Sequence, residues 1–112
     1  MPGATRASQG SYMSQAEVKI KSEVDVKEPP LFKVIYLNDD RTTVEFVIES
    51  LINYFEHTLS TAEKITWDIH DAGSAVVAIL PYEIAEQKGI EITVSARSEG
   101  YPLQIKLEPD VA

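Results

Sequence analysis

The sequence predicts an α+β fold, a small sheet covered on one side by helices, in the order β-α-α-β-α-β. Three observations carry this reading. Two capping boxes, Thr42-x-x-Glu45 and Ser60-x-x-Glu63, each open a stretch with helical apolar spacing. Three short runs rich in apolar and β-branched residues have the length and pattern of strands. The chain has 112 residues, 44% of them apolar and 25% charged, which suits one domain with one modest core.

Residues 1–30 are polar, lack sustained periodicity and end in Glu28-Pro29-Pro30, so they read as a flexible arm. The piece before Met13 is open to being a cloning remnant, with Met13 as the natural start. The domain then spans 31–112. LFKVIYL (31–37) is the first strand. Thr42 caps the first helix, where Val44, Val47, Ile48, Leu51 and Phe55 recur on one face. The second helix follows Ser60, carries Ala62, Ile65, Thr66 and Ile69, and stops near Gly73, a natural C-terminal cap. SAVVAIL (74–80) is a strand, and Pro81 suits the first position of a third helix. Within that third element GIEITV (89–94) alternates like a strand and includes a glycine, so propensity alone divides it evenly between helix and strand. Leu103, Ile105 and Leu107 alternate with Gln104 and Lys106, giving a final strand with one wet face.

Charge and composition exclude several classes of function. Residues 1–30 hold four Lys/Arg and four acids, so the net charge of −8 belongs wholly to residues 31–112. A domain this acidic is a poor ligand for phosphate backbones and attracts cationic partners instead. No run of about eighteen apolar residues offers a membrane span. The absence of cysteine rules out disulfides and thiol chemistry and fits a reducing compartment. The balanced charge of residues 1–30, unlike a transit peptide, points to a bacterial cytoplasmic setting.

The junction Asn38-Asp39-Asp40 needs an explanation, because adjacent carboxylates beside an apolar run repel each other and cost desolvation. One reading is a polar loop with an Asx turn and acids favouring the helix dipole. A calcium loop fails: alternate positions give Asn38, Asp40 and Thr42, with no central glycine. A catalytic reading has His70-Asp71 as an acid–base pair. It lacks a serine elbow, a glycine-rich phosphate loop and any His/Cys metal spacing, so no enzyme and no metal or other cofactor is expected. The fourth reading is a cation receptor: carboxylate, amide oxygen and imidazole nitrogen can together accept the three hydrogens of an ammonium group.

Leu37-Asn38-Asp39-Asp40, then Thr42 and Val44-Glu45-Phe46-Val47, resembles the signature of the ClpS family, adaptors of the Clp protease. Ile69-His70 with Gly73, Ala75 and Val76 resembles that family's second block, and Pro102-Leu103 its closing one. The resemblance covers about residues 32–108 in order and spacing. It implies three antiparallel strands with three helices, with 89–94 helical. It also implies a monomeric, non-enzymatic adaptor that binds N-degron proteins beginning with Leu, Phe, Tyr or Trp. The adaptor delivers them to a ClpA or ClpC unfoldase, which feeds ClpP. Asn38, His70 and one or both of Asp39 and Asp40 would hold the substrate's α-ammonium. Leu37, Thr42, Val44, Val47, Thr66, Ile69 and Leu103 would line the pocket for the first side chain, with Tyr36 nearby. Glu83 and Lys88 would dock on the unfoldase, and the arm would reach toward its pore. An acidic interaction module of similar shape, like the ribosomal-stalk C-terminal domain, is the alternative, but it has no need of both Asn38-Asp39-Asp40 and His70.

The chain departs from the family at three points. Val44 and Thr66 stand where methionine is common; both are short and stiff at χ1, so a deeper pocket with altered selectivity against β-branched residues is expected. The Thr66 hydroxyl is expected to bond back along its helix and leave the methyl facing the pocket. Thr43 replaces a common proline, with little effect expected while Thr42 caps the helix. Trp67 either shapes the pocket or is a surface aromatic.

Overall fold

A computed structural model describes residues 28–111; most of the proposed arm lies outside the described residues. The elements are β1 (Leu31–Leu37), α1 (Val44–Phe55), α2 (Leu59–Ala72), β2 (Ser74–Pro81), α3 (Tyr82–Ser98) and β3 (Gln104–Pro109). The predicted order β-α-α-β-α-β holds. The sheet runs β2-β1-β3, with β1 antiparallel to both neighbours. β2 and β3 are therefore parallel to each other, and α3 is the crossover that carries the chain past β1.

Alternation along β1 decides which face the helices cover. Val34 and Tyr36 are fully buried and join Leu51 of α1, Ala62 of α2, and Ala85, Ile92 and Ala96 of α3 in one core. The alanines let α3 lie close over the sheet. The opposite face leaves Val76 and Ile79 exposed, so the helices do sit on one side. Tyr36 brings its hydroxyl into the core, where it shares a 2.7 Å hydrogen bond with Ser50. Burial pushes that phenol well above its ordinary pKa and keeps it neutral.

A bulge separates Val34↔Ala78 from Ile35↔Val76 and leaves Val77 out of the register. Its carbonyl is met by the Nε2–H of His57 at 2.7 Å, which gives His57 a structural task between α1 and β2.

Both helix starts differ from the capping-box reading. Thr43 caps α1, its hydroxyl accepting from the Phe46 N–H at 3.1 Å, while Thr42 turns back to Asp39. The Thr43 hydroxyl is therefore not incidental. Thr58 caps α2 by accepting from the Thr61 N–H, which places Ser60 inside the helix. Several hydroxyl residues in a row offer alternative caps, and the packing of each helix selects among them. Gly73 does cap α2, in the left-handed region at φ 91. Pro81 is the N-cap of α3 instead of its first helical residue. The ambiguous 89–94 segment is helical because Ile92 and Ala96 join the core, so burial overrides the alternating pattern.

Candidate functional site

The Asn38-Asp39-Asp40 loop is held from two directions. The Asn38 N–H donates to the Gly73 carbonyl at 2.9 Å, which ties the end of β1 to the end of α2. That bond continues the β1–β2 ladder beyond the Leu37↔Ser74 pair. His70 occupies the last turn of α2, so it shares this end of the molecule with the loop. A helix C-terminus carries a partial negative charge, and this one adds to that of the two carboxylates.

The two aspartates have different surroundings. Asp39 Oδ1 accepts from the N–H groups of Arg41 at 2.8 Å and Thr42 at 2.7 Å, and its Oδ2 accepts from the Thr42 hydroxyl at 2.8 Å. Partial burial works to raise its pKa. The Thr42 and Arg41 hydrogen bonds and the Arg41 charge outweigh that and hold it below the usual carboxylate range. Asp39 is thus an ionised group in a fixed position, and Oδ2 retains accepting capacity. Asp40 is exposed and makes no side-chain hydrogen bond to a described residue. Thr42 consequently serves as the brace of Asp39.

The apolar residues expected around a first side chain differ in their exposure. Val47, Ile69 and Leu103 belong to the core cluster, and Thr66 is buried one turn before Ile69. The Thr66 hydroxyl donates to the Ala62 carbonyl at 2.7 Å, as expected, which satisfies the polar group inside the helix. Val44 remains 39% exposed at the start of α1. Leu37 instead joins Asn38, Asp39, Pro102 and Gln104 around a shallow depression. Tyr36, like Leu103, is a core residue with almost no exposure.

Two residues near His70 carry more than the sequence indicated. Trp67 is 52% exposed and stands edge-to-face with the His70 imidazole, ring centroids 5.9 Å apart. Their i,i+3 spacing was the available signal. The role of the Gly73 carbonyl had none, because it depends on a contact between residues far apart in sequence. Glu83 and Lys88 lie on different flanks of α3, about 140° apart around the helix. Glu83 borders Pro29, Pro30 and Tyr82, whereas Lys88 borders Tyr54, Phe55 and His57.

Residues 27–106 match the family described as ATP-dependent Clp protease adaptor protein ClpS. The chain belongs to the ClpS family. It is 40% identical over 97 residues to the ClpS adapter of Clostridium acetobutylicum, covering 87% of this chain and 96% of that protein. It is 41% identical over 93 residues to the ClpS adapter of Acetivibrio thermocellus, covering 83% and 94%. Among solved structures, Agrobacterium tumefaciens ClpS2 bound to L-phenylalaninamide superposes with a TM-score of 0.71 at 38% identity, covering 74% of this chain and all of that one. Its architecture agrees with the three-stranded, three-helix fold described above. The relatives carry the name of adaptors, in keeping with a non-enzymatic reading of the site.

Proposed function

We propose that this ClpS-family chain recognises the free α-ammonium group and the large hydrophobic first residue (Leu, Phe, Tyr or Trp) of N-degron proteins. It delivers them to a ClpA or ClpC unfoldase for degradation by ClpP. The observation that carries the reading is the Asn38–Gly73 main-chain bond, which ties the loop holding the braced, ionised Asp39 to the helix end bearing His70. Phenylalaninamide, the ligand of the Agrobacterium relative, offers the same two features: a free ammonium and an aromatic side chain.

The chemistry follows from these groups. Asp39 supplies a charge through Oδ2, the Asn38 side chain an amide oxygen, and His70 an imidazole nitrogen, one acceptor for each ammonium hydrogen. Asp40, without a local partner, adds longer-range attraction. Val44, Val47, Thr66, Ile69 and Leu103 receive the side chain, and Leu37 and Thr42 complete the rim. Glu83, beside Pro29 and Pro30, and Lys88 belong to the unfoldase-docking surface.

Fluorescence anisotropy with labelled peptides that differ only in residue one, each with a free or an acetylated N-terminus, tests this. Binding of the large hydrophobic set that acetylation abolishes is expected. Binding indifferent to acetylation removes the ammonium receptor.

A further inference from the structure

The three side chains assigned to the ammonium are held unequally. Asp39 is fixed by the N–H groups of Arg41 and Thr42 and by the Thr42 hydroxyl. Asn38 is anchored through its main chain to the Gly73 carbonyl. The exposed His70 imidazole has no hydrogen-bond partner among the described residues, unlike that of His57, which meets the Val77 carbonyl at 2.7 Å. The Thr66 hydroxyl, one turn earlier, directs its proton to the Ala62 carbonyl and so cannot donate to the ring. Lys64 and Asp68 pair with each other at 3.1 Å, with Asp68 about 160° around the helix from His70. Without another contact, a side chain placed like His70 divides its time among staggered wells.

The contact that His70 does have is with Trp67. The two rings stand at 88° with centroids 5.9 Å apart, inside the range of edge-to-face aromatic pairs. Helical side chains lean toward the N-terminus, over the turn before their own Cα, so His70 tilted this way lies over Trp67 and Thr66. Thr66 is a buried residue of the proposed first-residue pocket. The rotamer that Trp67 favours therefore keeps the imidazole beside that pocket, whereas another χ1 well carries the ring elsewhere on the helix surface. A half-exposed tryptophan needs no function by itself, but its orientation against a binding side chain supplies one. We infer that Trp67 is a positioning residue for N-degron binding: it touches His70, not the ammonium, and holds the imidazole where a ring nitrogen accepts from the substrate. This role rests on the ammonium-receptor reading above and adds a residue to it. A helical side chain has two favourable χ1 wells, each with two broad χ2 orientations. Loss of the ring contact spreads His70 over these. Apparent affinity then falls with the fraction left in the competent state, by about two- to fourfold. Phenylalanine keeps an aromatic ring at the same place, and alanine keeps none.

Anisotropy titrations of the full chain with free-amine peptides beginning with Leu or Phe test this role. They compare the parent with Trp67→Ala, Trp67→Phe, His70→Ala and the double Trp67→Ala/His70→Ala variant. Trp67→Ala should bind about two- to fourfold more weakly than the parent, and Trp67→Phe within about 1.5-fold of it. In the His70→Ala background, removing Trp67 should change affinity by less than about 1.5-fold, since its effect passes through His70. Three-bond NMR couplings about His70 χ1 in the peptide-free chain should report one rotamer in the parent and averaging in Trp67→Ala. Thermal melts by circular dichroism check that each variant is folded. The role is overturned if Trp67→Ala binds as the parent does, or if Trp67→Phe is no better than Trp67→Ala. It is also overturned if the loss is as large without His70, which sets Trp67 against the peptide itself, or if the His70 couplings are already averaged in the parent. Binding that survives acetylation of the N-terminus is a different failure, that of the ammonium receptor, and it removes the role of Trp67 as well.

Discussion

Replacing Asp39 by asparagine separates the charge of this carboxylate from its structural task. Its amide oxygen can still accept from the Arg41 and Thr42 N–H groups, and the Thr42 hydroxyl can rotate to accept from the amide nitrogen. The loop therefore keeps its shape, and a change in melting temperature of no more than a few degrees is expected. What disappears is the anionic partner of the ammonium. A hydrogen bond to a charged group contributes about 1.5–3 kcal/mol, and the loop is open enough to water to favour the lower end. Affinity for a peptide with a free Leu or Phe N-terminus should fall about ten- to thirtyfold. Asp39→Ala removes the local acceptors as well, so it should lower both affinity and stability, the latter by about 1–2 kcal/mol or roughly 5–10 °C. Asp40→Asn, at an exposed position without local bonds, should leave stability within about 0.5 kcal/mol and reduce affinity only a few-fold. Anisotropy titrations and thermal melts on the three variants measure both quantities. Asp39→Asn binding as tightly as the parent, or Asp40→Asn being the more damaging, would refute the assignment of the direct contact to Asp39.

His70→Ala should weaken binding of peptides with a free N-terminus about tenfold, because the ammonium loses one acceptor; unchanged affinity would remove His70 from that role. The Asp39 carboxyl is held below its unfolded value of about 3.9, so its contribution is complete above that pH and lost as pH falls through the lower folded value. A loss of loop stability, confined to pH below about 4, should appear in melts across that range. Thr66→Met should fill the pocket and cut binding of peptides beginning with Ile or Val more than those beginning with Leu or Phe, read as a ratio of dissociation constants. Glu56 caps α1 at φ 60, a costly conformation for a side chain, so Glu56→Gly should raise stability by about 0.5–1 kcal/mol. Gly73→Ala meets no atom within 4 Å but must adopt φ 91, and should cost about 1 kcal/mol or more, with a melting point lower by roughly 4–8 °C.

The order of elements, the helical and strand faces, and the concentration of negative charge on residues 31–112 were legible from local pattern, because periodicity and charge are properties of neighbours in sequence. So was the Thr66 back-bond, which needs only its own helix. The helix starts were misread by one or two residues, since Thr42, Thr43, Thr58 and Ser60 are chemically near-equivalent caps and only packing chooses among them. The helical state of 89–94 likewise waited for Ile92 and Ala96 to find the core. The resemblance named Asn38, Asp39, Asp40 and His70 together, but could not separate the aspartates. That distinction depends on where Thr42 turns, and the approach of the loop to α2 depends on a bond between Asn38 and Gly73. Tyr36 shows the same limit in reverse: its place beside the motif suggested a pocket, while the two-residue repeat of β1 and the Ser50 hydroxyl put it in the core. Sequence determined the chemistry available at this site. Tertiary structure decided which groups are already occupied and which remain open, because occupancy is set by contacts between distant segments.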